Sequence, residues 1–251
     1  RYARVTGVQT CALPIFASFA FSWKAEEHQF IVKNALAILK AEKPEVYKFY
    51  NNAYWKKIVS GSWDPDIFEF KSGTHYYVYP GEGTTNVGQY YKNGNRTSSK
   101  ESARTRLEEH WQYALNNYEQ NNLKDAFHEI GRACHYLGDI SCPPHAAGIQ
   151  YTLNPFSSKN YHAKFEKYAH IAEDSGNAKY VSKTAKGKYH LFDGSKFGYT
   201  LNEVCRMAAI HKDEILSGDE AEFEKALVAT LPIAQAYTAS FLEYFYRTVN
   251  E

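Results

Sequence analysis

The chain has 251 residues, of which 44% are apolar and 23% charged, and a formal net charge of +1. That length gives room for a sizeable core and that apolar share excludes a disordered chain, while the near-neutral charge excludes a polyanion held by bulk electrostatics. Its 21 tyrosines favour amphipathic surfaces and aromatic-lined clefts.

In chain order, Arg1 and Arg4 precede a weakly apolar run over 12–21. Ala20 and Ser22 are small residues placed for signal-peptidase cleavage before Trp23. The run is too short to span a bilayer. Residues 1–22 are therefore set apart as a signal peptide or non-native leader, which points to a secreted or periplasmic protein. They hold two arginines and no acid, so the remainder carries −1. Cys11 leaves with the leader. Cys134, Cys142 and Cys205 remain, and an odd count in an exported protein predicts one bridge and one free thiol. For Cys134 and Cys142 the alternatives are a disulfide or plain burial.

Apolar residues at helical spacing predict a helix over 26–41, ending near Pro44. A second, aromatic-rich helix is predicted over 43–59, closing at Gly61. Residues 60–96, dense in Gly, Tyr, Asn and Asp, read as a long structured loop of the kind that usually carries function. Helix returns over 99–121. The next, 123–139, is N-capped by Asn122 and stopped by Pro143-Pro144. Residues 159–172 form another helix, and 175–198 a loop or small hairpin. Helices over 200–216 and 220–249, the latter kinked at Pro232, complete the chain. The fold class is all-α: one multi-helix domain over 23–251 with two long loops and few strands.

Chemistry concentrates in two places. His135 and Asp139 stand four apart, and so do His162 and Glu166. On a helix each pair presents two side chains on one face. His145 follows the Pro-Pro breaker. A single pair of this kind is more often a solvated hydrogen-bonded pair than a ligand pair. Two pairs with three further histidines in reach describe a multi-metal pocket. His110, His128, His170, His190 and His211 have no partner pattern, and the surface is their default.

The candidate ligands in order are Trp23, His28, Asp66, His75, His135, Asp139, His145, His162 and Glu166. This set resembles the zinc-dependent phospholipase C family and its relatives, the P1/S1-type nucleases. The resemblance rests on Trp23-Lys-Ala-Glu-Glu-His28, Gly61-Ser-Trp-Asp-Pro-Asp66, Thr74-His75-Tyr-Tyr, His135-Tyr-Leu-Gly-Asp139 through His145-Ala-Ala, and Tyr161-His162-Ala-Lys-Phe-Glu166. It implies a helical domain with three Zn2+ ions in a cleft. One ion would take the α-amino group and carbonyl of Trp23 with His28 and Asp139. A neighbour would take Asp66, His75 and His135, sharing Asp139. The third would take His145, His162 and Glu166. Asp66 is also the candidate base or water-orienting carboxylate, with Asp64 its rival for that position. Glu26 matches the position where the family sets a carboxylate against a cationic headgroup; the alternative is an acid complementing the helix dipole. Trp63, Phe70, Tyr76 and Tyr77 are candidate partners for a quaternary ammonium.

The resemblance implies a metallohydrolase that cleaves phospholipids of the phosphatidylcholine type, releasing diacylglycerol and a phosphorylated headgroup. A His-x-x-x-Glu third-ion motif, Ala-Ala after His145 and the absence of a basic funnel favour this over a P1/S1-like single-strand nuclease. A secreted protein that binds zinc without catalysis is a third reading. The implied partners are a phospholipid substrate and transient contact with a membrane surface, with no stable nucleic-acid partner and a monomeric state.

Overall fold

The computed structural model describes residues 25–52, 54–68, 72–79, 91–92, 95–96, 101–150 and 159–251; the leader, Trp23 and Phe70 lie outside them. Helix α1 (Ala25–Glu42) carries Ile31, Val32, Ala35, Ile38 and Leu39 on its buried side and acids in its first turn, where the helix dipole favours them. Helices α2 (Pro44–Tyr50), α3 (Trp55–Gly61) and α4 (Pro65–Phe68) follow, then a 3₁₀ turn, Ser72–His75. A two-residue antiparallel ladder pairs β1 (Tyr91–Lys92) with β2 (Asn95–Arg96), Tyr91 opposite Arg96. Helix α5 (Ala103–Glu119) opens on a reciprocal capping box between Ser102 and Thr105. Then come α6 (Leu123–Ile140), α7 (Pro143–Ala146), α8 (Tyr161–Asp174), α9 (Phe197–Ala209), α10 (Lys212–Ser217) and α11 (Glu220–Asn250). The all-α expectation holds.

Helix α6 is the central element. Its face of Phe127, Ile130, Ala133, Cys134, Leu137 and Ile140 is buried, and it packs against α1, α3, α5, α9 and α11. Helix α11 spans one side of this core with Leu227, Leu231, Ala234, Phe241, Leu242 and Phe245. The tyrosines serve the interior more than the sequence suggests. Tyr50 is buried with its hydroxyl donating to the Leu242 carbonyl at 2.7 Å, and Tyr77 donates to Asn202 Oδ1 at 2.6 Å. Each ring buries apolar area while its one polar atom is satisfied.

Several boundaries differ from the sequence reading. The helix expected over 43–59 is two, because Asn52 Oδ1 takes the Tyr54 amide at 2.7 Å and turns the chain. The helix expected over 200–216 likewise ends at Ala209 and restarts at Lys212. Asn122 precedes α6 but makes no cap bond; its side-chain amide donates to Asn117 and Asp125 instead. Residues 175–198 hold two 3₁₀ turns, Ala178–Tyr180 and Gly194–Lys196, and no strand. Helix α11 continues through Pro232. A mid-helix proline costs roughly 3 kcal/mol or more, which the buried leucines and phenylalanines around it outweigh at about 1.5–3 kcal/mol each. Cys134, Cys142 and Cys205 are free and buried, so the expected bridge does not form. His110 is not at the surface: it is buried, stacked on Tyr136 and bonded through Nδ1 to Glu129 at 2.5 Å.

The contact that sets the site is the crossing of α3 and α6. A Cβ on Gly61 would stand 2.2 Å from the His128 carbonyl oxygen, and one on Gly131 2.3 Å from that of Ile58. Only glycine permits backbones this close. The crossing is clamped by Asp64, which accepts from Arg132 Nε at 3.1 Å and Nη2 at 3.0 Å and lies 2.9 Å from His128 Nε2. Burial pushes the Asp64 carboxyl up, but the bonds from His128 and Arg132 outweigh it and hold it below the ordinary value.

Two outcomes follow from this junction. Gly131→Ala destabilises the fold by about 1–3 kcal/mol, read as a lower Tm in thermal unfolding; an unchanged Tm would contradict the close crossing. Because the Asp64 carboxyl is depressed in the folded state, its stabilisation is complete above about pH 4 and fades as pH falls through the folded value. The stability gap between wild type and Asp64→Asn therefore narrows on acidification, and a gap constant down to low pH would refute the clamp.

Candidate metal centre

Each helix delivers its side chains to one interior volume. His28 comes from the first turns of α1, Asp66 from α4, His75 from the end of the 3₁₀ turn, His135 and Asp139 from α6, His145 from α7, and His162 with Glu166 from α8. All are buried except Asp66, which is nearly so with its side chain 8% exposed. Residues 76–79 after His75 are pinned on both sides: Ala103 N–H donates to the Tyr76 carbonyl, and Tyr79 N–H to that of Ala146, each at 2.9 Å. The Cys205 thiol donates to the Tyr77 carbonyl at 2.8 Å.

The α6 pair is the hub. His135 Nε2 lies 3.3 Å from Asp139 Oδ2, 3.5 Å from Asp66 Oδ1 and 3.2 Å from His75 Nδ1. His75 Nδ1 lies 2.9 Å from Asp139 Oδ2. His28 Nε2 reaches Asp139 Oδ1 at 3.5 Å and Asp66 Oδ2 at 4.0 Å, with its ring stacked on His135 at 3.8 Å between centroids. Gly138 makes room for that ring, since a Cβ there would stand 2.7 Å from His28 Nδ1. The second centre is His145, His162 and Glu166: Nε2 to Nε2 is 3.1 Å, and His162 Nε2 to Glu166 Oε1 is 2.8 Å. A hydrogen bond from His145 Nδ1 to the His75 carbonyl ties it to the first. Tyr76 stacks on His145 with centroids 4.4 Å apart.

Backbone carbonyls assign the imidazole tautomers. His135 Nδ1 faces the Ser62 carbonyl at 2.9 Å, and His162 Nδ1 that of Ile149 at 2.7 Å. A carbonyl can only accept, so these nitrogens carry the protons, as does His145 Nδ1 against His75. In the neutral ring each Nε2 then points a lone pair inward. In the second centre His145 Nε2, His162 Nε2 and Glu166 Oε1 converge, an arrangement that could hold a cation.

The first centre could hold a cation as well. Both oxygens of Asp66, Oδ1 of Asp139 and Nε2 of His28 are buried without a hydrogen-bond partner. Burial, then the Asp139, Glu166 and Glu27 carboxylates, push the Asp66 carboxyl well above its usual range. Asp139 goes the other way: burial raises it, but His135 and His75 outweigh that and hold it down. Burial and His135 lower His28 to about 3, so its imidazole is neutral. Burial and His162 likewise hold His145 well below its usual value. Imidazoles beside crowded carboxylates, with no thiolate among them, fit zinc of the catalytic type.

The groups His28–Asp66–His135, His75–His135–Asp139 and His145–His162–Glu166 each bring their ligand atoms within 4.8 Å of one another. Of the candidate ligands, only Trp23 lies outside the described residues. The geometry separates Asp64 from Asp66: the former is taken up by Arg132 and His128, and the latter points into the cluster. Glu26 is exposed in the first turn of α1 and stands apart from these three groups, within 4.8 Å of Glu27 and His170. Tyr77 belongs to the core, and Trp63 is half-buried. The carbonyls of Ser62, His75 and Ile149 were not legible beforehand, because any residue type supplies a carbonyl.

Residues 27–209 match the family model described as zinc dependent phospholipase C. A phospholipase C of Bacillus cereus is 22% identical over 168 residues, covering 61% of this chain and 55% of that protein. One of Clostridium novyi is 25% identical over 184 residues, covering 70% of this chain and 41% of that protein. The chain thus spans about half the length of these relatives. Among solved structures, Clostridium perfringens alpha-toxin from avian strain SWCP superposes with a TM-score of 0.67 at 21% identity, covering 92% of this chain and 66% of that one. The alpha toxin of Clostridium absonum gives 0.67 at 19% identity, covering 93% and 67%. These likenesses show a shared fold. With the family model matched over most of the chain, and its residues meeting in clusters built to hold cations, the chain belongs to the zinc-dependent phospholipase C family.

Proposed function

We propose that this chain is a secreted phospholipase C that binds three zinc ions and hydrolyses phospholipids of the phosphatidylcholine type. The observation that carries the reading is the convergence of His145 Nε2, His162 Nε2 and Glu166 Oε1 beside a second cluster built on His135 and Asp139. His145, His162 and Glu166 would hold one ion; His75, His135, Asp139 and Asp66 a second; His28 and Asp139, with the Trp23 terminus, a third. Bound there, zinc would supply Lewis acidity towards a phosphodiester and towards water.

The chain's own groups do the rest. The Asp66 carboxylate oxygens, free of protein partners, orient the attacking water and accept its proton. Asp139 stays ionised among three imidazoles and keeps the cluster anionic enough to retain cations. The P–O bond to diacylglycerol breaks as water adds to phosphorus, and the leaving alkoxide takes up the proton that Asp66 accepted from the water. Glu26, exposed two residues before His28, meets the cationic headgroup and is a binding residue, not one that reacts. The phospholipid and a transient membrane surface are the proposed partners, the chain acting as a monomer. Secretion rests on the leader read in residues 1–22. Among the described residues no helix is long and apolar enough to cross a membrane.

The zinc-loaded protein is assayed on a chromogenic phosphocholine ester and on single-stranded DNA. Phosphocholine hydrolysis without nuclease activity is expected; the reverse, or inactivity on both, overturns the proposal. Asp66→Asn is expected to abolish hydrolysis and lower the zinc content measured by atomic spectroscopy, whereas Asp64→Asn keeps zinc and loses thermal stability. Gly138→Ala pushes the His28 ring aside and is expected to release zinc from that cluster, while His145, His162 and Glu166 keep theirs. Full zinc retention in Gly138→Ala would remove His28 from the ligand set.

A further inference from the structure

A cleft separate from the metal centre lies in the angle between α1, α2 and α3. Its volume is about 430 Å³ and it is lined by Lys33, Leu36, Ala37, Lys40, Tyr47, Tyr50, Asn51 and Trp55. It falls within the size range of pockets that hold one small molecule, about 300–1,000 Å³. Leu36, Lys33, Ala37 and Lys40 share one stripe of α1, about a third of a turn away from the direction of His28. The cleft therefore opens away from the catalytic cluster.

The lining has two chemical parts. The floor is apolar: Leu36 is buried, and Tyr50, buried as well, spends its hydroxyl on the Leu242 carbonyl and offers the cleft ring carbon. Trp55, 38% exposed, stands at the rim. The polar part is cationic. Lys33 and Lys40 sit two helical turns apart, both exposed, and among the described residues neither pairs with a carboxylate. Lys33 Nζ meets the Gln29 amide oxygen at 3.5 Å, and Lys40 Nζ lies over the Tyr47 ring at 5.7 Å. Among the described residues no acid lines the cleft. Glu42, the acid near the end of α1, is occupied by Thr184, Ala185 and Tyr189.

We infer that this cleft binds a single-chain anionic amphiphile as a monomer, its sulfate, carboxylate or phosphate head held by Lys33 and Lys40 and its alkyl chain laid on Leu36, Ala37 and Trp55. Charge complementarity selects the head, since two ammonium groups without carboxylate partners flank one apolar floor. Long lysine side chains can converge on one anion while their stems extend the apolar surface. The inference is independent of the zinc chemistry and stands or falls without it.

The test follows the Trp55 indole N–H resonance of the zinc-loaded protein, assigned by its disappearance in Trp55→Phe. Decyl sulfate, added below its micellar concentration, is expected to shift that signal saturably. Inorganic sulfate and the neutral decyl maltoside at equal concentration are expected to leave it in place. Lys33→Gln/Lys40→Gln should raise the half-saturating concentration at least tenfold, whereas Lys196→Gln, altering an exposed lysine outside the cleft, should not change it. An unmoved resonance, an equal response to decyl maltoside, or equal saturation in the double variant would overturn the inference. A response to phosphatidylglycerol vesicles but not to monomeric decyl sulfate would overturn it as well. Near-UV circular dichroism of each variant identifies any that fails to fold, and Lys40→Gln alone then serves as the second variant.

Discussion

The structure is organised around an electrostatic debt: Asp66, Asp139 and Glu166 are buried beside imidazoles whose free nitrogens also point inward. Carboxylates out of water are unfavourable unless paired. Nδ1 bonds to the carbonyls of Ser62, Ile149 and His75 fix the rings of His135, His162 and His145. The Nε2 atoms of His135 and His162 then face carboxylate oxygens. The arrangement is coherent as a set of ligands and is otherwise hard to stabilise.

That geometry in turn depends on helix α6. His135 and Asp139 reach the cluster from one face, and Gly131 and Gly138, four before and three after His135, thin the same side of the helix where neighbours must come close. Gly131 lets α3 approach, which brings the Ser62 carbonyl to His135. Gly138 leaves space for the His28 ring of α1. The Asp64–Arg132–His128 clamp sits on the same junction, so a contact serving stability also sets the distance between α6 and the segment bearing Asp66. Fold and site are here one set of contacts.

The helical pairs were plain from the sequence because i and i+4 are neighbours on any helix, whatever surrounds it. His135 with Asp139 and His162 with Glu166 needed only a helix prediction, and the apolar spacing supplied that. Asp66 and His75 lie in a segment without period, so their placement depended on family resemblance. The histidines without a pattern show the limit of such reading. His110 has no carboxylate at i±4 that would mark it, yet it is buried against Tyr136 and bonded to Glu129 on the neighbouring helix.

By itself the sequence determined the all-α class, the approximate helices and the candidate ligand pairs on α6 and α8, since each follows from local spacing and side-chain chemistry. Only tertiary structure decided between Asp64 and Asp66, which differ by two positions in the sequence and by everything in their neighbours. It also left the three cysteines as separate buried thiols and broke two of the expected helices at short turns. The reason is common to all of these: they depend on which distant segment comes within a few ångströms, and a single chain's local pattern carries no record of that distance.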